Sequence, residues 1–177
     1  MTDKSPFYIV EEFISTLGCE DLIDTCNFTV PDTDKDGNPV KTFKTSEQAE
    51  SLVYDRLQYL IPEIQAYYEQ IYRGTERISF EWFPESAQGQ FQCENSEFVR
   101  GKWLRTRGRD LTGILFLSEY QDHIPFETDY EVYGGKLEFV QHRFGFNPKR
   151  GTLVIFPSDP HFINVTSPIR CGDLFQA

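Results

Sequence analysis

Three histidines, His123, His142 and His161, are side chains through which this chain could bind a transition metal. Neutral imidazole is a frequent ligand of iron and zinc. His161 follows Pro160 at a corner of the chain, and two roles are open for it: a metal ligand in a pocket, or a loop residue that bonds the backbone. His142, within VQHRF, is expected on a strand that faces water or a pocket wall. His123 lies in an acidic loop and has no partner at ligand spacing.

The segment DTDKDGN, residues 32–38, matches the first half of a calcium-binding loop, with Asp at positions one, three and five and Gly at six. Position twelve of such a loop requires a bidentate glutamate, and here it is Phe43. Asp-Gly pairs are common in ordinary turns. We therefore predict a solvated turn rather than a calcium site.

The net charge restricts the class of partner. The chain has 177 residues and a formal net charge of −11. A protein that binds nucleic acid must neutralise backbone phosphates with Lys and Arg. We therefore expect no nucleic-acid partner.

The four cysteines, Cys19, Cys26, Cys93 and Cys171, contain no CxxC pair, which indicates reduced thiols rather than a zinc site or a disulfide framework. No apolar run approaches the length that spans a bilayer, and the first residues lack the apolar core of a signal peptide. The sequence therefore predicts a cytoplasmic protein without a membrane partner.

Helical patterns dominate the first part of the chain. PFYIVEEFIS reads as a short strand with an acidic turn, and STLGCEDLID as a short helix that packs Leu22 and Ile23 inward. A longer helix is predicted from Thr45, with a capping box formed by Thr45 and Gln48. One apolar face is expected along it, at steps of three and four: Ala49, Leu52, Val53, Leu57, Leu60, Ile61, Ile64, Tyr68 and Ile71. Pro62 predicts either a kink or a restart of this helix.

From Arg77 onward the apolar period changes to two. RISFEWF, GQFQCEN, DLTGILFL, KLEFV, GTLVIF and HFINV are predicted strands, separated by Gly, Pro, Asp and Asn. GTLVIFPS is apolar throughout, as in a strand buried on both faces. Gly134 and Gly135 permit a tight bend and a close backbone approach to a ligand. We predict one α+β domain over residues 1–177, in which a mostly helical part (1–75) supports a jelly-roll body (76–177).

Four segments of the second half resemble, in order and spacing, the prolyl 4-hydroxylase-like branch of the 2-oxoglutarate- and iron(II)-dependent dioxygenases. They are RDLTGILFLSEY (109–120), YGGKLEF (133–139), FNPKRGTLVIFPS (146–158) and SPIRCG (167–172). The opening FYIVEEFISTLGCEDLID is similar to the first strand and helix of that family. The resemblance implies a double-stranded β-helix, which is a jelly roll, braced by N-terminal helices.

Members of that family hold iron(II) with a His-x-Asp/Glu pair and a distal His. The resemblance places Gln92 at the first histidine, Glu94 at the carboxylate and Asn164 at the distal histidine. An amide oxygen is neutral and binds iron(II) far more weakly than imidazole does. His161 reaches the distal position only if the loop after Ser158 shifts by three residues, which would also reverse its strand face.

The family also anchors the far carboxylate of 2-oxoglutarate with a basic residue near the last strand. Two positions after Gly172 stands Leu174, so the expected anchor is absent from its matched place. Arg170 or Lys136 could substitute for it, and Tyr133 is a further candidate for binding the co-substrate.

Two functions follow. One is a dioxygenase that uses Fe(II) and 2-oxoglutarate to hydroxylate a peptide or small molecule. It would use Glu94 and His161 as ligands, with Gln92 or water as a weak third. The other is a degenerate jelly-roll member without iron chemistry or cofactor that acts as a binding or structural module. The oligomeric state stays open.

Two surface segments bear on the substrate. The acidic, aromatic-rich loop SEYQDHIPFETDYEVYGG (118–135) is expected at the pocket mouth, where loops set specificity. The basic segment FVRGKWLRTRGR (98–109) either attracts an anionic substrate or forms a solvated hairpin.

Overall fold

The computed structural model describes residues 4–125 and 130–177. Residues 126–129, part of the long loop predicted at the pocket mouth, lie outside the described residues. The helices are α1 (Thr16–Cys26) and α2 (Glu47–Tyr68), with a short 3-10 helix at Pro160–Phe162. The strands are β1 (Tyr8–Val10), β2 (Asp32–Thr33), β3 (Pro39–Val40), β4 (Thr42–Lys44), β5 (Phe80–Phe83), β6 (Ser96–Val99), β7 (Lys102–Arg105), β8 (Leu111–Leu115), β9 (Glu119–Tyr120), β10 (Glu131–Gly134), β11 (Leu137–Phe139), β12 (Phe144–Phe146), β13 (Leu153–Pro157), β14 (Asn164–Thr166), β15 (Ile169–Gly172) and β16 (Leu174–Gln176).

Six strands form one continuous surface in the order β4-β5-β16-β8-β13-β1. Each pair of neighbours is antiparallel. Reciprocal backbone hydrogen bonds between Leu115 and Ala177, at 2.7 and 2.9 Å, join β16 to β8. This surface therefore links strands from the beginning, the middle and the end of the chain.

A second group of strands lies opposite the first. β14, β11 and β12 pair antiparallel, and β10 pairs with β15 on one side and with β9 on the other. Residues 86–92 run beside β14 and β15, where the Gly89 N–H donates to the Thr166 carbonyl at 2.9 Å and Gln92 forms a bridge with Asn164.

The core between the two groups is largely aromatic. Phe116, Val154 and Phe156 come from the six-stranded surface and meet Leu137 and Phe139, all of them buried. The Phe139 and Phe156 rings contact edge-on, with centroids 4.8 Å apart. Each such buried side chain contributes about 1.5–3 kcal/mol of hydrophobic free energy. β13 is buried from Leu153 to Phe156, which confirms the prediction that this strand is covered on both faces.

The helices cover the outer face of the six-stranded surface. α1 buries Cys19, Leu22, Ile23 and Cys26, so the predicted inward packing of Leu22 and Ile23 is confirmed. The outer faces of β8 and β13 contribute Leu115, Leu153 and Ile155 to the same cluster. The coarse expectation of two helices on mostly antiparallel sheet is thereby confirmed.

The long helix differs from its prediction at both ends. Its N-cap is Ser46, whose hydroxyl accepts from the Ala49 N–H at 3.3 Å, so the predicted capping box from Thr45 is wrong by one residue. Ser46 is the residue that adopts the extended backbone a cap requires. The helix ends at Tyr68, and Ile71 lies beyond it with 83% of its surface exposed, so its predicted place on the apolar face is wrong. Pro62 lies within the helix, which does not restart there.

Two predicted strands also change. In GQFQCEN only Gln92 pairs, through its isolated bridge with Asn164. In HFINV a 3-10 helix takes Pro160 to Phe162, because Asp159 caps it and Pro160 fits its first turn. The strand therefore begins at Asn164 and excludes His161.

The bend at Gly134 and Gly135 is confirmed, since both residues have positive φ, +99° and +68°. A Cβ on Gly134 would lie 2.3 Å from the Pro168 carbonyl oxygen. The close approach is therefore to the neighbouring backbone, where β10 and β15 pair through an irregular register. The approach of this bend to a ligand stays a prediction.

Candidate functional site

The three positions matched to the metal ligands lie together at one end of the strands. Gln92 and Asn164 exchange backbone hydrogen bonds of 3.0 and 3.1 Å. Their side chains also meet, with Gln92 Nε2 at 3.4 Å from Asn164 Oδ1. Asn164 Nδ2 lies 3.4 Å from Glu94 Oε1. Asn164 is buried and Gln92 is exposed, so the cluster forms the mouth of the aromatic core.

Arg109 completes this cluster. Its Nη1 donates to Glu94 Oε2 at 3.0 Å, and its Nη2 donates to Glu76 Oε2 at 2.5 Å. Burial lowers the pKa of the Arg109 guanidinium, but the two carboxylates more than offset this, so its pKa is raised. The hydrogen bond from Arg109 lowers the pKa of Glu76. A permanent positive charge therefore lies against the carboxylate that matches the family's iron ligand.

Asn95 fixes the backbone from which Arg109 projects. Its Nδ2 donates to the Arg109 carbonyl at 3.1 Å, and its own carbonyl accepts from the N–H groups of Thr106 and Arg107. Asn95 is 4% exposed, and its N–H donates to the Ser158 carbonyl. Arg109 is thus held by a buried amide two residues before β8.

Sequence reasoning did not identify Arg109 as a site residue. The only signal was a basic residue directly before a buried strand, in a segment already rich in Arg and Lys. Its acidic partners are 15 and 33 residues away. Spacing along the chain does not indicate such pairs.

The donor set does not fit iron(II). Gln92 and Asn164 offer neutral amide oxygens, and no imidazole stands at either position. The one carboxylate, Glu94, already accepts from Arg109 and Asn164. Across residues 4–125 and 130–177, no three His, Cys, Asp or Glu side chains gather in a way that could hold a metal.

The contacts of the three histidines are with residues outside this cluster. His161 is exposed in the 3-10 helix, where its N–H donates to Asp159 Oδ1 at 2.8 Å. His142 lies in the turn between β11 and β12 rather than on a strand, and its ring stacks on Phe162 with centroids 4.6 Å apart. His123 Nδ1 is 2.7 Å from Asp122 Oδ1.

The residues considered for the co-substrate make contacts with residues outside this cluster. Arg170 is exposed, and its guanidinium lies over the Tyr133 ring, 5.6 Å from the centroid. The Lys136 N–H donates to Ser167 Oγ at 2.9 Å. Leu174 is fully buried in an apolar cluster with Phe83, Ala87, Val132 and Ile169. The position that matches the basic anchor for 2-oxoglutarate therefore holds an apolar core side chain.

An apolar groove opens beside Gln92. It has a volume of about 470 Å³ and is lined by Phe91, Phe98, Trp103, Val140 and Ile163, among others. Phe98 and Trp103 belong to the hairpin of β6 and β7, and their rings are 5.2 Å apart. The basic segment 98–109 therefore contains an exposed hairpin, as one of its two interpretations predicted, and that hairpin also presents aromatic side chains.

Comparisons with known proteins identify the fold. No protein-family model matches the chain, and no match is found among curated proteins. The viral collagen prolyl hydroxylase of Paramecium bursaria Chlorella virus-1, solved as its 2OG complex, superposes with a TM-score of 0.70 at 16% identity, over 98% of this chain and 93% of that one. A prolyl-4-hydroxylase of Pseudomonas putida gives 0.60 at 16% identity, over 97% and 89% of the two chains.

A prolyl hydroxylase of Trichoplax adhaerens, solved with a peptide fragment of the hypoxia inducible factor oxygen degradation domain, gives a TM-score of 0.62 at 12% identity, over 97% and 80% of the two chains. Neither α1 nor α2, the α-helices of the described residues, combines the length and apolar character that crossing a bilayer requires.

These three superpositions show that the chain shares its fold with prolyl hydroxylases.

Proposed function

We propose that this protein is a binding member of the prolyl hydroxylase fold that works without iron. Its ligand is a peptide held at the mouth formed by Gln92, Glu94 and Asn164, and its two groups of strands form the jelly roll of that fold. The contact between Arg109 and Glu94 carries this proposal. A guanidinium satisfies the carboxylate that an iron site would require, and both neighbouring positions are amides.

The surface beside the mouth supports a peptide as ligand. Phe91 is 70% exposed and Phe98 61%, and with Trp103 they line a groove that ends at Gln92. Exposed aromatic clusters of this kind mark binding sites, because soluble proteins rarely leave large apolar patches uncovered. One structural neighbour was solved with a peptide fragment.

The test begins with metal and co-substrate. Fe(II) and 2-oxoglutarate are added anaerobically to metal-free protein, and the visible charge-transfer band and the melting temperature are recorded. We expect no band and no stabilisation by either ligand. A band that disappears in Glu94→Ala would refute the proposal.

A designed gain of function sharpens this test. The triple variant Gln92→His, Asn164→His and Arg109→Leu supplies two imidazoles and releases the Glu94 carboxylate. We expect it to bind Fe(II) and to melt at a higher temperature in its presence. The matched control, Gln92→His and Asn164→His with Arg109 retained, should bind Fe(II) at least tenfold more weakly, because the guanidinium still occupies the carboxylate.

The second candidate is a working dioxygenase, favoured by the meeting of the three matched positions at one point. In it Glu94 is the carboxylate ligand, His161 moves to the mouth, and Arg170 or Lys136 binds the co-substrate. Succinate formed from 2-oxoglutarate by wild-type protein, and lost in both Glu94→Ala and His161→Ala, would favour it over the binding member.

A further inference from the structure

Glu76 reaches Arg109 from a segment that belongs to no helix or strand. Residues 70–79 connect α2 to β5, and residues 70–77 are exposed. The Glu76 side chain is 54% exposed, compared with 13% for Glu94. The two carboxylates on Arg109 therefore differ: Glu94 is fixed within the mouth, whereas Glu76 comes from outside and meets water.

A second cation lies at the same place. Arg107 is exposed. The hydrogen bond from Arg109 lowers the pKa of Glu76 most, and the charges of Arg109 and Arg107 lower the pKa of Glu76 further. Among the described residues Arg107 forms no ion pair within 4 Å. Without Glu76, Arg109 would keep one ion pair, with Glu94, and Arg107 would have none among the described residues.

This corner opens into a large cavity that adjoins the apolar groove. The cavity has a volume of about 690 Å³, and Glu76, Arg107 and Arg109 line it. Gln92 lines both the cavity and the groove of Phe98 and Trp103. A peptide that fills the groove can therefore place a neighbouring side chain beside the two arginines.

We propose that Glu76 stands in for a carboxylate of the peptide ligand, so that an acidic residue next to an aromatic one displaces Glu76 from Arg109 and binds Arg109 and Arg107. This rests on the proposed peptide-binding function and names the class of peptide. The displacement is easy because an ion pair to a half-exposed carboxylate is worth about fivefold or less in an equilibrium constant. In return, the carboxylate of a peptide held in the groove accepts two hydrogen bonds from a planar guanidinium.

The experiment compares two peptides on the full chain by titration calorimetry. One is acetyl-Ser-Asp-Phe-Ser-amide, and its neutral partner carries asparagine in place of aspartate. We expect the aspartate peptide to bind at least tenfold more tightly. In Glu76→Gln its affinity should rise about threefold to fivefold, since the competing carboxylate is removed, while the asparagine peptide should not change.

Two further variants separate this exchange of carboxylates from general charge effects. Glu47→Gln removes a carboxylate that is 94% exposed on α2 and contacts Arg77, and it should change neither peptide's affinity. Arg107→Gln, an exposed position, should reduce the affinity for the aspartate peptide at least threefold and leave the asparagine peptide unchanged. A side-chain NMR signal of Arg109 Nε that shifts only with the aspartate peptide would place the carboxylate without any substitution.

The outcomes separate this inference from the proposed function. Equal affinity for both peptides, lost in Trp103→Ser, would keep the groove as a peptide site and overturn the exchange of carboxylates. Weaker binding of the aspartate peptide in Glu76→Gln would overturn it as well. If neither peptide binds wild-type protein, both the peptide-binding function and this inference fail.

Discussion

Replacing Arg109 by methionine tests how much the two ion pairs of Arg109 contribute to the free energy of unfolding. Methionine keeps a long apolar side chain and removes both ion pairs. The Arg109 and Glu94 side chains are 24% and 13% exposed, and a hydrogen bond between charged groups of such burial contributes about 1.5–3 kcal/mol. The contact with Glu76 is shorter, yet water screens that half-exposed carboxylate, and it adds at most about 1 kcal/mol. We expect Arg109→Met to lower the free energy of unfolding by about 2–4 kcal/mol.

Urea denaturation with a double-mutant cycle measures this effect. Glu94→Gln removes the charge that Arg109→Met would leave unpaired, so the double variant should lose less than the sum of the single variants, by about 1–2 kcal/mol. Lys149→Met is the matched control, because the ion pair of Lys149 with Glu11 is more than half exposed on both sides and contributes little to stability. A loss for Arg109→Met no larger than for Lys149→Met, or additive single effects, would refute the reasoning.

Three further predictions concern the surroundings of the site. Tyr68→Phe removes a hydroxyl that donates to the Ile155 carbonyl at 2.6 Å and should cost about 1–3 kcal/mol in urea denaturation; a cost no larger than that of Tyr59→Phe, at a position that is 82% exposed, would contradict this. Burial raises the pKa of the Cys19 and Cys26 thiols to about 11. Two of the four thiols should therefore react slowly with Ellman's reagent at pH 8 in folded protein and fast in urea, and equal reaction rates of all four thiols in folded protein would contradict the packing of α1. The hydrogen bond from Arg109 lowers the pKa of Glu76, so this ion pair stabilises the fold above the carboxyl's ordinary pKa and is lost as the pH falls through the lowered value. The difference in unfolding free energy between wild type and Glu76→Gln should therefore be present at pH 7 and decline as the pH falls below the carboxyl's ordinary pKa; a difference that does not change with pH would point to another cause.

The sequence determined those features that depend on local pattern. Period-two apolar segments predicted β5, β8 and β11, because alternation follows directly from the pleat of a half-buried strand. A continuously apolar run predicted β13, which is buried on both faces. Ser46 was missed by one residue as the N-cap, since Thr45 and Ser46 carry the same hydroxyl and only the backbone angle selects between them. The family resemblance placed Gln92, Glu94 and Asn164 at the three matched ligand positions, and the structure brings those three side chains together.

Only the tertiary structure decided what neutralises Glu94. Arg109 and Glu76 are separated from each other by 33 residues, and a charged pair of that separation leaves no periodic signal in a sequence. The 3-10 helix capped by Asp159 moved the start of the predicted strand from His161 to Asn164 and left His161 exposed. Periodicity records which face of an element is buried, whereas contacts between distant elements arise from packing, and it is packing that set a guanidinium against the one carboxylate of this mouth.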